Sequence, residues 1–416
     1  MGIKTQSQAQ TFAPETGSSV VGSASPGANA SQSDSMAQSG ASAAGAIAQV
    51  LPHLESGPIG RFAADIALTV RRLGGDSRMV SAGGRFAQEV QRASVLHENI
   101  DLEAKGPFGF GGAGARLNTL LDGWNCRLIH SHGANSAQVV KKAIGTRPIH
   151  HVASLYRLPD NDKATDTASR ALLQADKVIV ASDFIKKLLV SGNPETADRI
   201  TVIPPGMAIN AVHPSVVTAA RLSRLVRKID ISTDAPIILF PAAIDASAGH
   251  SVLLNALSEM SDAPWVCLFA TIGPGNRKVR SQIQAQIEKF GLQSRVHFVD
   301  NCDDPATLYK LASVVISSVM GNLAFDYAAA EAQSAGKLVL VPNSGASQDQ
   351  VSAGDDGAIF EAGDAETLNM ALRWSLSLAP DIRAEIEHAA TTRAYKTYKR
   401  EEAIKRVFTV YDMLLT

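Results

Sequence analysis

Short apolar runs alternate along this chain with longer stretches in which apolar residues recur every three or four positions. The run at residues 46–51 ends at Pro52 and predicts a buried strand. Phe62, Ile66, Val70 and Leu73 then repeat at helical spacing, and Gly74-Gly75 closes that helix. Gly57, Pro58, Ile59 and Gly60 between them read as a turn. Further strands are expected at 78–81, 126–131, 149–153 and 177–180, with helices at 86–93, 136–144 and 166–175. The alternation restarts at Ile237. Strands are expected at 237–241, 265–271, 296–299, 314–317, 337–341 and 358–360, and helices at 251–260, 278–290, 307–312 and 328–335. Most of these strands are solidly apolar, the mark of parallel sheets covered on both faces. The pattern therefore predicts an α/β protein of two successive β/α domains, with a ligand cleft at the carboxyl ends of the strands.

The ends of the chain differ from this body. Residues 1–44 are Ser-, Ala-, Gly- and Gln-rich with few large apolar side chains, and are expected to be a disordered tail. Residues 401–415 carry Ile404, Val407, Phe408, Tyr411 and Leu414 on one helical face. The expected division is a tail at 1–44, an amino-terminal domain at 45–214, a carboxy-terminal domain at 215–394, and a last helical segment at 395–416.

Composition narrows the function classes. Among 416 residues, 45% are hydrophobic and 19% charged, enough for a large core. The formal net charge of -1 gives no overall attraction to nucleic acid. Cys126, Cys267 and Cys302 are too few and too scattered for a disulfide framework or zinc site, and read as buried thiols. No apolar run reaches the ~18 residues that span a bilayer. Lys4 is the only Lys or Arg before Arg61 and no apolar segment follows it, so no signal peptide is expected. The expected location is cytoplasmic, with peripheral contact at the inner membrane face left open. The pairs Arg71-Arg72 and Lys141-Lys142 would supply that contact unless they are simply solvated helix residues.

Several single signals need weighing. The GFGGAG stretch at 109–114 has the spacing of a dinucleotide fingerprint but lacks the strand before it and the acid after it, so a plain glycine linker or loop is expected. His130, His132, His150 and His151 gather at two neighbouring strand ends. A His-x-His pair shares one strand face. No nearby carboxylate or thiol completes a metal set, so cleft histidines are the expectation.

Four stretches in order carry a family resemblance: IAQVLPHLESG, ADKVIVASDFIKKLL with RITVIPPGMAINAVHP, RVHFVDNCDDPATLYKLASVVISS, and EAQSAGKLVLVPNSGASQDQV with GDDGAIFEAGDAETL. Together they resemble the family-4 retaining glycosyltransferases over all but the tail. The resemblance implies the GT-B fold, two Rossmann-like domains facing across a cleft, with the helix at 395–416 crossing back to the amino-terminal domain. It also implies transfer of a sugar from a nucleotide-sugar donor to a glycan or lipid-linked acceptor in surface polysaccharide or lipopolysaccharide synthesis, with no separate cofactor and no metal. Such chemistry needs cations and backbone N–H groups on the departing diphosphate.

Carried over position by position, the family's Gly-Arg pair falls on Ala242-Ala243, and its Lys on Ala248. The first Glu of its Glu-x7-Glu element falls on Leu323, and its first-domain His on Ser154 or a neighbour. Glu331 keeps the second Glu. Gly57, Gly273, Phe325 and Asp326 fall on the implied donor site, with Asp326 adding repulsion if it faces the diphosphate. His132, His151, His250 and Arg277 are the candidate substitutes for the replaced groups. The alternative is a non-catalytic relative that acts as a binding or scaffold protein for a protein or glycan partner.

Overall fold

A computed structural model describes residues 45–55, 58–103, 109–156, 170–229, 231, 234–271, 275–300, 304–317, 319–320 and 323–416, with side chains omitted for 109–111. Gly57, Gly273, Cys302 and the expected tail lie outside the described residues.

The first sheet has seven parallel strands: β1 (Ala46–Val50), β2 (Ser77–Ser81), β3 (Leu96–Asn99), β4 (Cys126–His132), β5 (His150–Leu155), β6 (Lys177–Val180) and β7 (Ile200–Val202). Their spatial order is β3-β2-β1-β4-β5-β6-β7. The second has six: β8 (Ile237–Pro241), β9 (Val266–Thr271), β10 (Val296–Asp300), β11 (Val314–Ile316), β12 (Val339–Pro342) and β13 (Ala358–Phe360), ordered β10-β9-β8-β11-β12-β13. All its pairings are parallel too. In each sheet the chain reverses direction beside its first strand, between β1 and β4 and between β8 and β11. Such switch points leave a crevice at the strand ends.

Strand alternation distributes the cores. Ala46, Ala48 and Val50 face Leu117, Val139 and Val140 of the helices Gly109–Gly123 and Ala134–Ile144. Ile47 packs on the opposite face with Leu128, Phe62 and Val407. Helices thus cover both faces, and the chain has two Rossmann-like β/α/β domains.

Three local expectations change. Pro58, Ile59 and Gly60 are not a turn; they open the helix Pro58–Arg72. Proline suits a first turn, where its missing N–H has no helical partner. Residues 109–114 are not a linker but belong to the helix Gly109–Gly123. Strand β3 (LHEN) was not predicted, because its edge position leaves its residues exposed or half-buried and no apolar run marks it.

After the second sheet the helix Pro380–Thr397 packs beside the helix Tyr327–Ser334. The chain then pairs with Met207, whose N–H donates to Tyr398 O at 2.8 Å and whose carbonyl accepts from Arg400 N at 3.2 Å. The last helix, Arg400–Leu415, crosses back onto the first sheet. Arg127 donates to Leu415 O at 3.0 Å and Arg406 to Val202 O at 2.7 Å. Gly206 has no room for a side chain at this crossing; a Cβ would lie 2.8 Å from Arg400 Cα and 3.0 Å from Phe62.

Candidate functional site

The crevice between the two sheets holds a cavity of about 560 Å³. Its second-domain wall is Pro241, Ala242 and Ala243 after β8, Thr271 at the end of β9, and Tyr309, Tyr327 and Glu331 from two helices. Arg61, Phe86, Met207 and Arg400 face them. The lining is mainly apolar, as ligand sites generally are, with a few polar groups to orient what binds.

Glu331 is the carboxylate in this wall. Its helix begins at Tyr327, where Asp326 accepts from Ala329 N at 3.0 Å as the N-cap. One turn later Glu331 projects into the cavity, half-buried, and accepts from Tyr309 Oη at 2.7 Å. Burial raises its pKa, and the Tyr309 hydrogen bond partly opposes the rise.

The cations lining the cavity are Arg61 and Arg400, both engaged by Asp65. Arg61 Nε donates to Asp65 Oδ1 at 2.9 Å, and its second nitrogen lies 2.7 Å from Glu89 Oε2. These two carboxylates raise the Arg61 pKa further against the opposing effect of burial. Arg400 Nε lies 3.0 Å from Asp65 Oδ2.

Behind the first-domain side of the crevice runs a buried polar chain. Gln49 Nε2 donates to Tyr411 Oη at 3.1 Å, so the amide oxygen of Gln49 accepts from His132 Nε2 at 2.9 Å. That fixes the His132 proton on Nε2 and leaves Nδ1 a buried acceptor without a partner among the described residues. His130 Nδ1 meets Tyr411 Oη at 2.7 Å, and its Nε2 meets Ser154 Oγ at 2.5 Å. The two imidazoles stack at 4.2 Å. Burial holds both rings neutral: His132 falls to about 3, and His130 lies well below its ordinary value, lowered further by His132 and His151.

The remaining sequence candidates disperse. Ser154 is buried beneath His130 rather than at the cavity. It pairs in register with His132, one of the candidate substitutes for the replaced group, so the structure sets that imidazole beside the position. His151 points to the opposite sheet face, where it meets Ser131 at 2.8 Å, and burial lowers it to about 4. The four histidines of β4 and β5 therefore do not converge. His250 is no cation: it lies between Phe240 and Phe269, and burial lowers it to about 4.

Arg277 is exposed at the start of the helix Arg277–Lys289 and does not line the cavity. Phe325 is buried against Tyr327 and Tyr398. Asp326 is turned inward, accepting from Ser347 Oγ at 2.7 Å, so it does not face a diphosphate. Ala243 lines the cavity, Ala248 lies in the short helix Ala246–Ala248, and Leu323 is half-buried, its carbonyl accepting from Ala346 N at 2.8 Å. Sequence reasoning missed Tyr309, Thr271, Tyr327, Arg61 and Arg400. Nothing local marks them, and only the fold brings them together.

Two parallel Rossmann-like domains with a cavity where both sheets switch direction define a glycosyltransferase-like protein of the GT-B fold. The chain is related to the family-4 and group-1 glycosyltransferases: residues 59–210 match Glycosyltransferase Family 4, and residues 223–396 match Glycosyl transferases group 1. It is 27% identical over 297 residues to the D-inositol 3-phosphate glycosyltransferase of Corynebacterium jeikeium, covering 66% of this chain and 70% of that protein. It is 25% identical over 286 residues to the protein of the same name from Thermobispora bispora, covering 65% and 61%. Among solved structures, a glycosyltransferase from Rickettsia africae superposes with a TM-score of 0.80 at 23% identity, over 90% of this chain and 99% of that one. HepE of Anabaena, in complex with UDP-glucose, superposes at 0.75 with 17% identity, over 89% and 100%.

Proposed function

We propose that this chain binds a nucleotide-sugar in the crevice cavity and transfers its sugar to a glycan or lipid-linked acceptor, in building a surface polysaccharide or lipopolysaccharide. One observation carries the reading: a half-buried carboxylate, Glu331, oriented by Tyr309 in the wall of a mainly apolar cavity at the strand ends. Such a wall suits a nucleoside, with the base on apolar surface and the ribose hydroxyls on the carboxylate. The relatives named as glycosyltransferases and the likeness to a UDP-glucose complex support it. In this reading Gly57 and Gly273 contribute to donor binding. The working parts are 45–214 and 215–394, tied by 395–416, and the chain acts in the cytoplasm, with peripheral contact at the inner membrane face left open.

A second reading, binding without transfer, is favoured by Ala242 and Ala243 in the cavity wall. The resemblance puts a cation there, and another at Ala248. Charge-assisted hydrogen bonds contribute about 1.5–3 kcal/mol each. Two missing cations would cost leaving-group stabilisation of about 3–6 kcal/mol, or two to four powers of ten in rate.

Thermal shift with UDP-, GDP- and ADP-sugars tests the common premise, since a ligand of the folded state raises the melting temperature by mass action. The expected outcome is a shift with one donor class, diminished about tenfold in apparent affinity by Glu331→Ala. No shift with any donor would sink the nucleotide reading. A donor that binds and stays unconsumed with every acceptor tried selects binding without transfer.

A further inference from the structure

A second cavity, of about 580 Å³, opens between the helices Pro58–Arg72 and Arg400–Leu415. Its charged lining is Arg61, Arg71, Arg72 and Arg400 against Asp65 and Glu401, four guanidinium groups to two carboxylates. Arg61 and Arg400 also line the crevice cavity, so the two spaces meet at this pair.

The four arginines are not equally engaged. Arg61 and Arg400 share Asp65, as described above. Arg71 donates to Gly75 O at 3.4 Å and Arg72 to Thr69 Oγ1 at 2.7 Å, both neutral acceptors. Both side chains are exposed, and neither forms an ion pair with a carboxylate among the described residues. Their place in the last helical turn, where the helix dipole favours cations, accounts for their being basic. It does not account for a groove closed on its other side by Arg400.

We infer that this groove is a binding site for a phosphate-bearing ligand, gripped by Arg71 and Arg72 with Arg400 on the facing helix. Planar guanidinium groups match phosphate oxygens two at a time, and those of Arg71 and Arg72 are engaged by no carboxylate among the described residues. The apolar stems of Leu68 and Ile404 floor the groove and keep the occupant's neutral part off bulk water. The assignment stands apart from the nucleotide reading of the crevice.

Full-length protein is titrated calorimetrically with glycerol 3-phosphate and with glycerol, and sedimented with phosphatidylglycerol or phosphatidylcholine vesicles. The expected result is saturable binding of glycerol 3-phosphate, none of glycerol, and about a tenfold or greater loss of affinity in the double variant R71Q/R72Q. Capture by phosphatidylglycerol vesicles alone, abolished by the same substitutions, upholds the phosphate site and assigns it to a lipid headgroup. Absence of binding in both arms overturns the assignment, as does binding unchanged in R71Q/R72Q. Circular dichroism checks that the double variant is folded. UDP binding that is weakened by Glu331→Ala and kept in R71Q/R72Q reports on the crevice, so a failed groove and a failed nucleotide site give different results.

Discussion

An imidazole buried with both ring nitrogens unbonded must be neutral to persist, and among the described residues His250 has no partner for either nitrogen. Its pKa falls from 6.5 to about 4 through burial, against a weaker upward pull from Asp245. Below about pH 6.5 the unfolded chain therefore takes up a proton that the folded chain refuses. The stability that His250 contributes is full above that pH. It is lost as pH falls toward 4, at about 1.4 kcal/mol per unit. Replacing His250 with Phe, among Phe240 and Phe269, is expected to flatten the pH dependence of stability by nearly one proton between pH 6.5 and 5. Urea denaturation of both proteins across that range measures it, and parallel curves would refute it. At this scale the sequence singled out Glu331 through the family resemblance, which places the second Glu of the Glu-x7-Glu element there. It could not pair Tyr309 with Glu331 or Arg61 with Arg400, because their meeting depends on packing between separate elements.

Most elements were legible because buried parallel strands and amphipathic helices write distinct periods into a sequence. The helix Gly109–Gly123 was not, since four glycines in six residues argue against helix by propensity. Tertiary packing overrides that preference: Ala113, Leu117 and Leu121 bury a continuous face. The last helix was legible from its apolar stripe, and Tyr411 shows what its docking adds. One hydroxyl there serves both Gln49 and His130. Tyr411→Phe leaves two buried polar groups short of a partner and is expected to cost about 2–4 kcal/mol. Equilibrium denaturation would show it, and a loss below about 0.5 kcal/mol would mean the Tyr411 hydroxyl adds nothing to the docking.

For the whole molecule, the decisive feature is a core that ignores the division into two sheets. Leu128, Val152 and Ile179 of the first sheet share one cluster with Phe325 and Ala330 near the second, and with Tyr398, Val407 and Tyr411 of the crossing segment. Two domains joined this way should melt together, so calorimetry of the intact chain is expected to show one transition. Phe325→Ala, which empties the middle of the cluster, is expected to cost about 3–5 kcal/mol and to separate the transition into two. An unsubstituted chain that already melts in two steps would show the shared cluster to be weak.

Cys126 lies in β4 and Cys267 in β9, one in the interior of each sheet, and burial pushes the Cys126 thiol up to about 12 and the Cys267 thiol higher. Neither can react with iodoacetamide until its own sheet opens, because the thiolate is the nucleophile. With Cys302 replaced by Ser, the chain carries a native stopwatch in each half. Mass spectrometry of the alkylated peptides would time the two openings separately. Matching rates would mean that the halves breathe as one body, and a lag between them would reveal which half loosens first.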